Sequence, residues 1–166
     1  MPMLTRVDSG ARVWQPPENL KAIGGGAEKM SYNLIANPGF ETVGTGWNNV
    51  TDADFITGEG SIKPHSGARY VLCRGMANII SEPFKVTPGA TLHASAWFYS
   101  PVQPRIAGIL IVFNDGTTQK SIPNVSTGWT RIGMDCTVPS GASIATIELY
   151  SDAWKRFDDV EVTEEI

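Results

Sequence analysis

The chain lacks most of what enzymes and nucleic-acid-binding proteins rely on. It has two histidines, His65 and His93, and neither stands in an HExxH or related pattern. Its two cysteines, Cys73 and Cys136, form no CxxC pair and no disulfide framework. No Gly-x-Ser-x-Gly elbow occurs, and Gly24-Gly25-Gly26 is not followed by the Lys-Ser/Thr of a phosphate loop. Lys and Arg number 13 against 17 Asp and Glu, a net charge of −4 without a basic cluster, which argues against a phosphate-backbone footprint. The longest apolar run, Ile106 to Phe113, is far short of the roughly 20 residues of a membrane-spanning helix. Sustained helical periodicity is absent throughout. A glycosidase would need only two facing carboxylates, and Asp52, Asp54, Glu59 and Asp152 are available, but any soluble chain offers as many. Catalysis is therefore not expected.

What is abundant is turn chemistry. Seventeen glycines and eleven prolines suit many short strands joined by tight turns. Apolar stretches at 33–36, 68–73, 79–86, 91–99, 106–113, 130–138, 144–150 and 156–162 alternate with separators such as Thr87-Pro88-Gly89, Ser126-Thr127-Gly128 and Pro139-Ser140-Gly141. Asn114-Asp115-Gly116 between two alternating runs is the clearest hairpin signal. About eight strands with two faces each predict an all-β fold, a two-sheet antiparallel sandwich or jelly roll over residues 31–166. Period-two alternation assigns Leu92, Ala94, Ala96 and Phe98 to the core, and His93, Ser95, Trp97 and Tyr99 to the outside. Likewise Ala145, Ile147 and Leu149 read as core, with Thr146, Glu148 and Tyr150 outward. Cys136 shares a stripe with Ile132, Met134 and Val138 and reads as a buried free thiol.

Residues 1–30 differ from the rest. They carry Pro2, Pro16, Pro17 and the Gly24–Gly26 run, with no sustained period. Isolated apolar side chains, among them Leu4, Val7, Val13, Trp14, Leu20 and Ile23, suit an extended arm lying in a partner's groove, with the glycines as a hinge. A poorly ordered leader is the alternative. Thr5, Arg6, Asp8 and Ser9 interrupt any apolar signal region, so export by the general secretory route is not expected.

The ordered part resembles the carbohydrate-binding modules of families 4, 9 and 22, a jelly roll related to the galactose-binding-like fold. The resemblance spans about residues 32–163 and rests on five pieces in order. These are Asn33-Leu34-Ile35-Ala36-Asn37-Pro38-Gly39-Phe40-Glu41 with Gly46-Trp47; His65-Ser66-Gly67; Phe84-Lys85-Val86-Thr87-Pro88-Gly89 leading into Thr91–Tyr99; Trp129 through Val138-Pro139-Ser140-Gly141; and Phe157-Asp158-Asp159-Val160-Glu161-Val162.

The resemblance implies that the opening and closing strands meet, and that Glu41, Asp158 and a carbonyl near Gly39 hold one structural calcium ion. The alternative is that both carboxylates serve loop amides. For a sugar, whose C–H faces stack on aromatic rings, the expected ligand residues are Trp97, Tyr99, Tyr150 and Trp154, with His93 and Glu148 as polar neighbours. Trp47 and Trp129 fall at positions the resemblance makes core. Protein–protein contact would use outward aromatics equally well. Two non-catalytic functions follow. One is a phage virion component, in tail or capsid decoration, anchored to protein subunits by the arm, assembled in the host cytoplasm and touching cell-surface glycan. The other is a glycan-binding accessory module of a polysaccharide-degrading system, secreted by a non-classical route. Neither involves nucleic acid or membrane insertion.

Overall fold

The structure is a computed structural model of the chain and describes residues 20–23, 29–102 and 105–166. The chain divides into two units, Met1–Asn33 and Leu34–Ile166. In the first, β1 (Leu20–Ile23) pairs antiparallel with β2 (Lys29–Tyr32), Leu20 opposite Tyr32 and Ile23 opposite Lys29. Part of the segment expected to be an extended arm is thus a two-stranded ribbon, with Leu20 and Ile23 at the ends of its first strand. Leu4, Val7, Val13, Trp14 and the Gly24–Gly26 hinge lie outside the described residues.

The second unit is a sandwich of two antiparallel sheets. The remaining strands are β3 (Trp47–Asn48), β4 (Phe55–Ile56), β5 (Tyr70–Cys73), β6 (Ile79–Ser81), β7 (Phe84–Lys85), β8 (Thr91–Ser100) and β9 (Arg105–Phe113). They continue with β10 (Thr118–Ser121), β11 (Asn124–Val125), β12 (Gly128–Thr137), β13 (Ile144–Ser151) and β14 (Lys155–Glu165). One sheet has five strands in the order β12-β8-β14-β5-β4. The other has seven, in the order β10-β9-β13-β6-β3, with β11 beside β9 and β7 beside β13.

Alternation places the core between the sheets as the sequence suggests. Leu92, Ala94, Ala96 and Phe98 are buried from one side, and Ala145, Ile147 and Leu149 from the other. Cys136 is a buried free thiol, and burial pushes it up to about 11. The 114–116 hairpin joins β9 to β10, closed by Gly116 N–H donating to the Phe113 carbonyl.

The opening stretch differs from expectation. Residues 33–36 form no strand, although Leu34 N–H donates to the Val162 carbonyl and Val160 N–H to that of Pro38, so the opening and closing segments do meet. Asn37 and Phe40 adopt positive φ, which breaks the extended path and turns the chain into a plug. Phe40 and Trp47 stack at 4.9 Å inside the core, and the Trp47 indole N–H donates to the Asn37 carbonyl. The expected 79–86 strand splits into β6 and β7 around Glu82-Pro83, because a proline cannot donate to the ladder.

Candidate functional site

The six expected ligand residues fall in four places. Trp97 and Tyr99 lie on the outer face of the five-stranded sheet, and His93 is on the same face but about 13 Å along β8 from Trp97. Glu148 and Tyr150 lie on the outer face of the seven-stranded sheet, and Trp154 stands in the loop between β13 and β14.

The outer face of the five-stranded sheet is a floor beneath residues 57–66. Register sets Trp129 opposite Tyr99, so Trp129, expected in the core, belongs to this face, and its edge meets the Tyr99 ring at 5.3 Å. The Trp129 indole N–H donates to the Lys63 carbonyl at 3.0 Å. The His65 ring stacks on Trp97 with centroids 3.8 Å apart and planes 19° apart, occupying one ring face. Tyr70, fully buried, donates its hydroxyl to Glu59, and Arg156 grips both Glu59 oxygens, Nε to Oε2 at 2.7 Å and Nη2 to Oε1 at 3.2 Å. The Arg156 hydrogen bond holds the Glu59 carboxyl below its ordinary value. Burial, reinforced by the hydrogen bond to Glu59, raises the Tyr70 hydroxyl.

The 65–69 stretch is tied down by the carboxylates expected to hold calcium. Asp158, fully buried, accepts from the backbone N–H groups of His65, Ser66 and Asp159. Burial and then the neighbouring Asp159 charge push it up to about 8, while the three amides pull the other way. Glu41 accepts from the N–H groups of Ala68 and Arg69. A β-bulge between Asp158 and Glu161, with Asp159 at positive φ, turns the Asp159 carboxylate to His65 Nδ1 at 2.6 Å and to the Ser66 hydroxyl. A side-chain atom on half-buried Gly39 would lie 3.5 Å from Asp159 Oδ1 and 3.7 Å from Glu41 Oε2, so these two carboxylates face each other across it. Among the described residues no three His, Cys, Asp or Glu side chains gather as a metal-holding group.

His93 has another duty. Its Nδ1 faces Asp135 at 2.8 Å and its Nε2 faces Glu165 at 3.0 Å, contacts that raise its pKa, the Glu165 bond first. It clamps three strands and has no nitrogen left for a ligand.

The outer face of the seven-stranded sheet is arranged differently. Register lines up one residue from each of five strands across it: Asn48, Ile80, Glu148, Leu110 and Lys120. Glu148 is half-buried, and its Oε1 accepts from Asn78 Nδ2 at 2.9 Å. Tyr150 lies opposite Gly108. A Cβ on Gly108 would come within 2.3 Å of the Ser121 carbonyl oxygen and 2.6 Å of Ile122 Cα. Only glycine lets the chain after β10 cross there, forming a shoulder beside Tyr150. The half-buried Tyr150 side chain has no ring contact and no hydrogen bond among the described residues. Asn78, Asn48 and Lys120 carried no sequence signal, since each is a lone polar residue whose neighbours are set by strand order.

No protein-family model matches the chain, and no curated protein matches it. Solved structures do. The CBM22-1–GH10 modules of Clostridium thermocellum endo-1,4-β-D-xylanase 10B, complexed with xylohexaose, superpose with a TM-score of 0.59 at 22% identity, covering 82% of this chain and 29% of that one. The CBM22-1 xylan-binding domain of Paenibacillus barcinonensis Xyn10C gives 0.58 at 14% identity, covering 76% of this chain and 91% of that one. TmCBM61 in complex with β-1,4-galactotriose gives 0.54 at 17%, covering 80% and 98%. The sandwich has the carbohydrate-binding-module fold. At these identities the likeness is one of fold, and fold and function separate readily.

Proposed function

We propose that this chain is a non-catalytic glycan-binding module whose ligand lies across the outer face of the seven-stranded sheet, on Tyr150, Glu148 and Asn78. One observation carries the reading. Of the four aromatic candidates, Tyr150 alone has a side chain with neither a ring contact nor a hydrogen bond among the described residues, while Trp97 and Tyr99 are packed with His65 and Trp129, and Trp154 with arginines. A pyranose needs a free ring face and nearby polar groups for its hydroxyls, and Tyr150 with the Glu148–Asn78 pair supplies both. Glu148 is the only carboxylate in the rows 48–80–148–110–120, 146–112–118 and 150–108, and glycoside hydrolysis ordinarily needs two. Tyr150→Ala is expected to cost less than about 1 kcal/mol of stability, because the side chain is part-exposed. It should weaken binding on a glycan array by roughly tenfold, the loss typical of a central aromatic contact. A variant that folds and binds as tightly as the wild type refutes the placement.

Display on a virion through residues 1–30 is the finer reading. The apolar residues of that segment and the separation of Met1–Asn33 as its own unit support it. Deleting residues 1–30 should leave the sandwich folded and glycan binding intact while abolishing incorporation into a particle. Failure of the truncated chain to fold refutes it.

A further inference from the structure

At the end of the sandwich where β5 leaves and β14 begins, cations are set against an exposed indole. Trp154 is 44% exposed, and the Arg74 guanidinium lies over its ring at 4.5 Å from the centroid. Arg156 approaches the same ring at 5.6 Å, but its charge is committed to Glu59. Between them in sequence, Lys155 is almost fully buried and donates to the Gly75 carbonyl at 2.8 Å, burial lowering its pKa. Arg156 and, from farther away, Arg74 thus act on the one Glu59 carboxylate, while Lys155 is turned to Gly75, in a chain of net charge −4. Asp152, two residues before Trp154, turns an oxygen to the Ile106 amide at 3.4 Å. Arg74 is exposed, donates no hydrogen bond and joins no ion pair among the described residues, and the indole restrains its planar fork. A guanidinium restrained in this way loses less side-chain freedom when it takes a carboxylate two-pronged.

We infer that Arg74, backed by Trp154, is a subsite for the carboxylate of a uronic acid residue, so that the glycan bound by this module is an acidic one. The inference rests on the glycan-binding reading above and adds the charge of its ligand. The link between the two sites is the loop 74–78. Its first residue lies on Trp154, and its last, Asn78, donates to Glu148. Five residues of chain set an upper limit of roughly 15 Å between the Cα atoms of Arg74 and Asn78, a spacing on the scale of a short oligosaccharide. Charge also sets the direction. Glu148 repels a carboxylate, so the neutral part of the glycan lies along Glu148, Asn78 and Tyr150 and the uronate sits at Arg74.

The test is calorimetric titration with neutral and acidic partners: xylohexaose against a xylo-oligosaccharide bearing a glucuronate branch, and β-1,4-galactotriose against trigalacturonate. Each is run at 20 and 200 mM salt, on the full chain and on Arg74→Gln and Arg74→Lys. In at least one pair the acidic member should bind about tenfold tighter at low salt, with the gap narrowing at 200 mM. Arg74→Gln should close that gap and leave neutral affinity within about twofold, while Arg74→Lys keeps part of it by charge alone. Equal binding of both members in every pair, or a preference that survives Arg74→Gln, overturns the uronate subsite and leaves the glycan reading standing. No binding to any of the four oligosaccharides overturns both.

Discussion

The Glu59–Arg156–Tyr70 group should be the most sensitive polar contact in the sandwich, and Glu59→Gln tests it. The Arg156 side chain is 8% exposed and that of Glu59 24%. Glu59 also takes the hydroxyl of Tyr70, whose 0% exposure leaves no water to replace the lost acceptor. Removing one partner from a fully buried ion pair costs about 3–5 kcal/mol, because the other charge is left without compensation. Glu59 is a quarter exposed and glutamine keeps one acceptor, so the expected loss is about 2–3 kcal/mol. For a chain of 166 residues, at about 2–4 °C per kcal/mol, Tm falls by roughly 5–10 °C in a calorimetric scan.

The acid limb gives an independent reading. Arg156 holds Glu59 below its ordinary value, so the stability this group contributes is present above its unfolded pKa and lost as pH falls through the lower folded one. The wild type should therefore approach Glu59→Gln in urea melts as pH falls below the ordinary glutamate range of about 4. The double variant Glu59→Gln, Arg156→Met should regain at least half of the loss, since it removes the stranded cation as well. A single variant within about 0.5 kcal/mol of wild type, or a double variant no better than the single, refutes the reasoning.

Two other outcomes bear on the 65–69 stretch. Asp158 stands far above its unfolded value, so its contribution is fully present below that value and declines as pH rises toward about 8. Urea melts at pH 5 and 8.5 should show this loss in the wild type and not in Asp158→Asn. With the oxygens of Glu41 and Asp158 engaged by loop amides, EDTA should leave the melting curve unchanged. A fall in Tm that added calcium reverses refutes that expectation and supports a calcium ion at these carboxylates.

The long strands were legible because alternation over eight to ten residues leaves one register compatible with a buried face, as in β8 and β13. The two-residue strands β3, β4, β7 and β11 were not, since two residues carry no period. The same limit explains the site. That Trp97 points outward follows from its neighbours in β8, but whether its ring is free depends on His65, which reaches it only because Asp158 and Asp159 hold residues 65 and 66 from the far end of the chain. Glu59 gives no local sign of its partner, Arg156, 97 residues away. Its place in a motif assigns Trp129 to the core, and only its register opposite Tyr99 moves it to the outer face. Alternation put Glu148 and Tyr150 outward with equal force, and no segment 57–66 lies on their sheet to occupy them. Two outward stripes thus acquire different fates: one becomes the floor under a folded segment, and the other carries Tyr150, whose ring meets no other ring among the described residues, beside Glu148.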